Sequence, residues 1–211
     1  MNLKRPKTRP NNYYYEDKLK SRGFDLVVGV DEAGRGPLAG PVVASAVLLK
    51  SRFFKNRIDD SKKLSPLQRE RAFGEIVKNS VFGIGIISHK QIDSFNILVA
   101  TQMAMEQAIT KLARKLRPLK NKHLYVIVDG KVSLKICFDY TTIIKGDCLS
   151  KSIAAASIIA KVTRDRIMTE YDCVYPEYGF ARHKGYPTKY HRRAITEFGS
   201  CLIHRKSFCG V

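Results

Sequence analysis

Apolar positions along the chain fall into two rhythms. Short, mostly β-branched runs closed by turn residues occur at Leu26–Val30, Val42–Leu49, Val81–Ile87, Leu124–Val128 and Thr141–Ile144. Runs of this length read as buried strands. Between them the period changes to that of a helix. Ser65 and Pro66 supply an N-cap and first residue for a helix to about Lys78, and Ile97, Ala100, Ala104, Ala108, Leu112 and Leu116 place another over about Asp93 to Leu116. A third runs from Leu149 to about Tyr171; its opening SIAAASIIA is apolar or small on nearly every side, as for a helix packed closely on a sheet. Pro187 and Thr188 start a last short helix. Ile58–Leu64 reads as a polar loop. Strands interleaved with helices predict an α/β domain over residues 23–211, preceded by a flexible basic arm over residues 1–22 carrying Lys4, Arg5, Lys7 and Arg9. No internal repeat or second-domain boundary is evident.

Composition narrows the class. The chain has 211 residues, 44% of them hydrophobic, enough for one domain with a real core. No apolar stretch is long enough to cross a membrane, and the first residues lack the apolar core of a secretory signal. Lys and Arg total 38 against 19 Asp and Glu, a net charge of +19. That excess points to a polyanion, nucleic acid ahead of an anionic membrane, because no basic amphipathic helix with an aromatic face is present. Five cysteines without CxxC pairing read as reduced thiols of a cytoplasmic protein.

The candidate chemistry lies in acids at strand ends. Asp31 and Glu32 close the first strand, before a loop built on Gly34, Gly36 and Gly40 that holds Arg35. Consecutive side chains on a regular strand point to opposite faces, so these two acids share one site only if the backbone turns there. Asp129 closes the fourth strand, and Asp147 follows the fifth. Each acid also has an ordinary reading: Asp31 and Glu32 as loop residues, Asp129-Gly130 before KVSLKI as a hairpin turn, Asp147 as a helix N-cap. Their common placement favours a site, since ligands of α/β sheets bind at the carboxyl ends of strands. If the strands are neighbours, four carboxylates meet, and hard divalent ions such as Mg²⁺ or Mn²⁺ would offset their repulsion. Two such ions about 3.5–4 Å apart are the usual arrangement of nucleases.

Competing motifs are absent or incomplete. There is no GK[ST] for a P-loop and no G-x-S-x-G elbow, and His183 and His191 lack zinc-ligand spacing. Lys62 and Lys63 are candidates for phosphate contact. His183, Lys184, Tyr186, His191 and Arg192 cluster as a nucleic-acid-facing surface would require, although each also reads as a surface residue. Two classes therefore stand: a metal-dependent nuclease, and a noncatalytic basic nucleic-acid binder whose acids are turns and caps.

VVGVDEAGRGPLAGPVVASAV, DSKKLS, VIVDG, KGDCLSKSIAAASIIAKVTRDRIM, YGFARHKGYPT and the terminal HRKSF resemble ribonuclease HII, the bacterial type 2 ribonuclease H, from about Tyr14 to Phe208. The resemblance implies a ribonuclease H-like fold, a central mixed sheet flanked by helices with a helical C-terminal region. It implies an endonuclease of RNA–DNA hybrids that also cuts at single ribonucleotides in duplex DNA, with Mn²⁺ or Mg²⁺, leaving 5′-phosphate and 3′-hydroxyl ends. Asp31, Glu32, Asp129 and Asp147 match the family's catalytic and metal-binding acids. Gly34, Arg35 and Gly36 match the motif that grips the ribonucleotide and scissile phosphate, and Tyr186 matches the tyrosine that stacks on the sugar following the ribonucleotide. Lys62 and Lys184 are further expected nucleic-acid contacts. The sister type, ribonuclease HIII, has a longer N-terminal domain and typically lysine in place of Arg35, so the short arm and intact GRG favour type HII. The implied partners are RNA–DNA hybrid and ribonucleotide-containing duplex DNA, bound by a monomer without a membrane contact; a sliding-clamp contact follows from nothing in the sequence.

Overall fold

A computed structural model describes residues 12–116 and 123–211. The elements are α1 (Tyr14–Lys20), β1 (Leu26–Ala33), β2 (Val42–Leu49), α2 (Pro66–Lys78), β3 (Ser80–Ile87), α3 (His89–Lys115), β4 (Leu124–Asp129), β5 (Asp139–Ile143), α4 (Lys151–Val174), α5 (Phe180–His183) and α6 (Lys189–Phe198). The strands form one sheet in the order β3-β2-β1-β4-β5. β1, β2 and β3 pair antiparallel, while β1–β4 and β4–β5 pair parallel, so the sheet is mixed as expected.

Strand alternation divides the core. Val28 and Val30 of β1 and Val126 and Val128 of β4 face α3, packing on Ala104, Met105, Ala108 and Leu112. On the other face, Val27, Tyr125 and Ile127 pack with Ile153 of α4 and with Tyr15 and Leu19 of α1. Gly29 also lies on this side, where any Cβ would overlap the backbone of Ser152 and Ile153. The start of α4 is thus seated directly on β1. Gly83 and Gly85, which thin the third strand in sequence, allow the same close approach: a Cβ there would strike the carbonyls of Ala108 and Ala104 in α3.

Several expectations are corrected. The arm was expected to reach residue 22, but Tyr14–Lys20 is a helix; Tyr15 and Leu19 supply apolar burial, and Glu16 accepts hydrogen bonds from Ser150 and Ser152 at the start of α4. Residues 1–11 lie outside the described residues. The loop at 58–64 contains a 3₁₀ turn over Ser61–Lys63, capped by Asp60. Helix α3 starts earlier than expected because Ser88 and Gln91 form a capping box, and it breaks at Asn96 (φ 67°), whose side chain accepts from the N–H groups of Leu98 and Val99 and so caps the second segment. The hairpin reading of Asp129-Gly130 fails because β5 runs parallel to β4. Asp147 does not cap α4; Ser150 does. The C-terminal region is helical as expected, with Thr188 capping α6.

Candidate active site

Parallel pairing brings the first two acids together. Val30 lies opposite Val128, so the next residues, Asp31 within β1 and Asp129 at the end of β4, lie side by side on the face covered by α4. Asp147 arrives from the other side, in the 3₁₀ turn Gly146–Cys148 that follows β5. Lys145 reverses the chain there in the left-handed region (φ 58°), and the Gly146 N–H donates to Asp129 Oδ1 at 2.6 Å. Carboxylate oxygens of Asp31, Asp129 and Asp147 all lie within 4.8 Å of one another.

Glu32 reaches the site differently from the simple expectation. The backbone does not turn after Asp31; β1 continues through Ala33, with Asp31 opposite Ser45 and Glu32 opposite Ala44. Alternation therefore sends the two acids to opposite faces. Glu32 still lines the cleft and pairs with Arg35 at 3.3 Å, but it stands outside the three-carboxylate group.

Burial sets the electrostatics. Asp31 is 5% exposed, and desolvation, then the charges of Glu32, Asp129 and Asp147, push its pKa well above the ordinary carboxylate value. Asp129 is raised by burial and by Glu32 despite the bond from Gly146; Asp147 is raised by burial, then by Asp129 and Asp60. Burial works against the charge of Lys62, but Asp60, Asp147, Asp31 and Asp129 outweigh it and hold its pKa above the usual lysine value. A single ammonium cannot neutralise this many acids. An all-oxygen donor set with unbalanced negative charge suits a hard divalent cation, so these residues fit the ion that the sequence implies.

This arrangement has a consequence for stability. Carboxyls whose folded pKa is raised hold protons that the unfolded chain releases, so their contribution falls as pH rises from the ordinary value of 3.8 through the folded values. Asp17, Asp59 and Asp93 have lowered pKa values and act in the opposite sense, at lower pH. In chelator, Asp31→Asn is therefore expected to raise the melting temperature, and by more at about pH 7 than at about pH 4. Thermal melts of both proteins across that range check this; an equal or shrinking difference at high pH contradicts it.

The glycine loop beside the acids is braced from below by two arginines. Arg164 and Arg205 are both 0% exposed. Arg164 donates to the carbonyls of Pro41 (2.9 Å), Ala39 (3.0 Å) and Lys184 (2.9 Å). Arg205 donates to those of Gly34 (2.6 Å), Arg35 (3.0 Å), Gly40 (2.9 Å) and Pro41 (3.2 Å). Gly34 sits at φ 97°, and a Cβ there would overlap the Arg164 side chain. The loop's carbonyls are thus drawn inward, towards fixed positive charge. Sequence reasoning gave neither arginine a role; an arginine's burial depends on partners that here lie 20 to 171 residues away in the chain.

A cleft of about 780 Å³ joins these parts. It holds Asp31, Glu32, Asp129, Gly34–Gly36, Lys62 and Tyr186, and so gathers most of the expected site. Gly36 lies under the Tyr186 ring, 3.8 Å from a Cβ position to the ring edge. Lys161, which sequence reasoning missed, also lines the cleft, with its ammonium 5.7 Å from the centre of that ring. Lys184 does not line it: its ammonium donates to Thr169, in a neighbouring groove that shares only Lys161 and Tyr186 with the cleft. No helix among the described residues is long and apolar enough to cross a membrane.

The model of the family described as ribonuclease HII matches residues 28–211. The chain belongs to the ribonuclease HII family. Ribonuclease HII of Ruminiclostridium cellulolyticum is 52% identical over 195 residues, covering 92% of this chain and 74% of that protein. Among solved structures, ribonuclease H2 from Pyrococcus horikoshii OT3 superposes with a TM-score of 0.63 at 25% identity, covering 88% of this chain and 94% of that one. Bst-RNase HIII in complex with Mn²⁺ gives a TM-score of 0.70 at 16% identity, over 89% of this chain and 68% of that one, and supports the fold alone. As a member of the ribonuclease HII family the chain is a ribonuclease H enzyme, with the mixed sheet and helices that the resemblance implied.

Proposed function

We propose that Asp31, Glu32, Asp129 and Asp147 are the catalytic acids of an endonuclease that cuts the RNA strand of RNA–DNA hybrids. It also cleaves at single ribonucleotides in duplex DNA, leaving 5′-phosphate and 3′-hydroxyl ends, and so serves ribonucleotide and primer removal in replication and repair. The observation that carries this reading is the meeting of three carboxylates from β1, β4 and the turn after β5 within 4.8 Å, in a chain of net charge +19. Asp31, Asp129 and Asp147, with Glu32 beside them, would hold Mn²⁺ or Mg²⁺, which would supply activation of water and relief of charge on the leaving oxygen.

The chain's own groups do the rest. Lys62 and Lys161 hold the strand by its phosphates at the cleft, and Arg35, with half of its side chain exposed, reaches the scissile phosphate from the glycine loop. The inward-drawn carbonyls of Gly34 and Arg35 leave that loop's outer side to the substrate. Tyr186, 40% exposed above Gly36, offers a ring face to the sugar next to the ribonucleotide, where the 2′-hydroxyl distinguishes RNA from DNA. A passive basic binder accounts for none of this. It would leave Asp31, Asp129 and Asp147 in mutual repulsion without the roles of hairpin turn and helix cap, since no hairpin follows Asp129 and Ser150 caps α4.

The reading is tested by cleavage of a DNA duplex with one embedded ribonucleotide, alongside binding to the same duplex. Tyr186→Ala is expected to lower cleavage roughly tenfold or more with little change in affinity, and Arg35→Ala to lose more because a charge beside phosphate also disappears. Equal losses in cleavage and affinity for Tyr186→Ala would make the tyrosine a general contact and refute its sugar-reading role.

A further inference from the structure

Tyr186 stands on a stretch of backbone that the chain would not adopt unaided. Lys184 and Gly185 precede it at φ 54° and φ 81°, and a non-glycine residue at positive φ persists only where its surroundings hold it. Beside the Arg164 guanidinium on the Lys184 carbonyl and the Leu38 N–H on that of Gly185, those surroundings include three imidazoles. His183, His191 and His204, which end α5, sit in the first turn of α6 and follow α6, are 8%, 0% and 1% exposed and gather around Phe180. The His183 and His191 rings stack with centroids 4.5 Å apart.

Their hydrogen bonds run in one direction, because the groups at the ends can act in only one way. The Tyr186 carbonyl can only accept, so His191 Nδ1 carries a proton and donates to it at 3.0 Å. His204 Nδ1 accepts from the Cys201 backbone N–H at 2.9 Å, the shortest of its contacts with Cys201 (Sγ at 3.1 Å, carbonyl at 3.3 Å), and an accepting Nδ1 puts the His204 proton on Nε2. That proton is donated to the bare Nε2 of His191 at 3.0 Å. On the other side of the tyrosine, the Gly185 N–H donates to His183 Nδ1 at 3.2 Å, and His183 Nε2 donates to the Tyr178 carbonyl at 2.7 Å. The peptide after Tyr186 is thus held by His191, and the Lys184–Gly185 peptide, one residue before the tyrosine, by His183, both as neutral imidazoles. Burial keeps them neutral: the pKa of His191 is pushed down to about 4, and those of His183 and His204 lie below the usual histidine value. None of the three lines the catalytic cleft.

We infer that His183, His191 and His204 are positioning residues for the proposed reaction, a neutral imidazole chain that fixes the Tyr186 backbone so that its ring meets the sugar at a single ribonucleotide. This inference rests on the proposed role of Tyr186. The chain reaches from Cys201, in the turn after α6, through His204 and His191 to the tyrosine, and so ties the C-terminal segment to the face that reads the sugar.

The two nitrogens of His191 can be separated by substitution. From Cβ, an asparagine amide reaches the Nδ1 position and a glutamine amide the Nε2 position. His191→Asn keeps the donor to the Tyr186 carbonyl, whereas His191→Gln keeps the link to His204 and loses that donor. In steady-state assays on matched duplexes, His191→Gln is expected to lower kcat/KM at a single ribonucleotide roughly tenfold more than on a continuous RNA–DNA hybrid, and His191→Asn to restore most of the loss. In a Tyr186→Ala background, His191→Gln should add no further loss at the single ribonucleotide. A fold-wide role would instead depress both substrates alike and follow the melting temperature. His204→Asn, which keeps the acceptor for Cys201 and drops the donor to His191, repeats the test should His191→Gln not fold; it too should lose the single ribonucleotide selectively. Equal losses on both substrates, or the same extra loss with and without Tyr186, would overturn the inference while leaving the role of Tyr186 intact. If Tyr186→Ala itself spared single-ribonucleotide cleavage, that role would fail and the inference with it.

Discussion

Asp31→Asn is expected to lower hydrolysis of a ribonucleotide-containing duplex by about 10³-fold, roughly 4 kcal/mol of barrier, while binding of the duplex stays largely intact. The substitution keeps the size of the side chain and removes one of three carboxylates that meet within 4.8 Å, at a residue only 5% exposed. The loss of activity should accompany a gain in the stability of the metal-free fold, because the same charge that would hold a divalent ion repels Glu32, Asp129 and Asp147 when none is bound. Activity and stability moving in opposite directions marks a functional site more sharply than either alone. Single-turnover cleavage, duplex binding and thermal melting on one preparation measure all three quantities. Cleavage within a few fold of the parent protein would remove Asp31 from the chemistry.

Arg164→Met carries the largest expected cost in stability. The guanidinium is wholly buried and satisfies the carbonyls of Ala39, Pro41 and Lys184; an apolar side chain would strand those of Ala39 and Lys184 away from water and leave Pro41 to Arg205 alone. At about 1–3 kcal/mol for each unsatisfied group, partly relaxed, the loss should be about 3–5 kcal/mol, or roughly 10 °C in melting temperature for a chain of this size. Arg164→Lys keeps the charge without the planar fork and should recover only part of it. The stranded carbonyls belong to the glycine loop and to the segment leading to Tyr186, so the surviving folded protein should also cleave poorly. A chemical-denaturation curve with a midpoint unchanged from the parent would show that the loop is held by other means.

The parts of the molecule that were legible in the sequence are those governed by local chemistry. Apolar runs gave all five strands, and Ser65 with Pro66 gave the start of α2 at the residue where the structure has it. Asp129 and Asp147 were ambiguous one at a time, since a turn or a cap explains either; strand order resolved them, and strand order is a long-range property. The same holds for Glu32. Whether it shares a face with Asp31 depends on where β1 ends, and pairing with Val43 and Ala44 carries the strand past both acids. Helix α1 escaped notice because its buried face is only Tyr15, Glu16 and Leu19, too short for a periodic signal, and a basic stretch precedes it. The arginines under the loop and His204 were hidden for another reason, which also placed the buried His183 and His191 on a nucleic-acid-facing surface. Such residues usually lie on surfaces, and only the folded chain takes their partners out of water. Lys184 illustrates the converse: sequence proximity to Tyr186 suggested a shared surface, but the left-handed turn at Lys184 directs its ammonium to Thr169 instead.

The central claim is that folding gathers these acids to hydrolyse a sugar-phosphate bond with a divalent ion. It is tested most directly by incubating the protein with a DNA duplex containing one ribonucleotide, with Mg²⁺ or Mn²⁺ and with chelator, and mapping the products to the nucleotide. One cut at the ribonucleotide is expected, with 5′-phosphate and 3′-hydroxyl ends and a requirement for the ion. Cleavage undiminished in chelator, or an intact duplex in the presence of either ion, would contradict it.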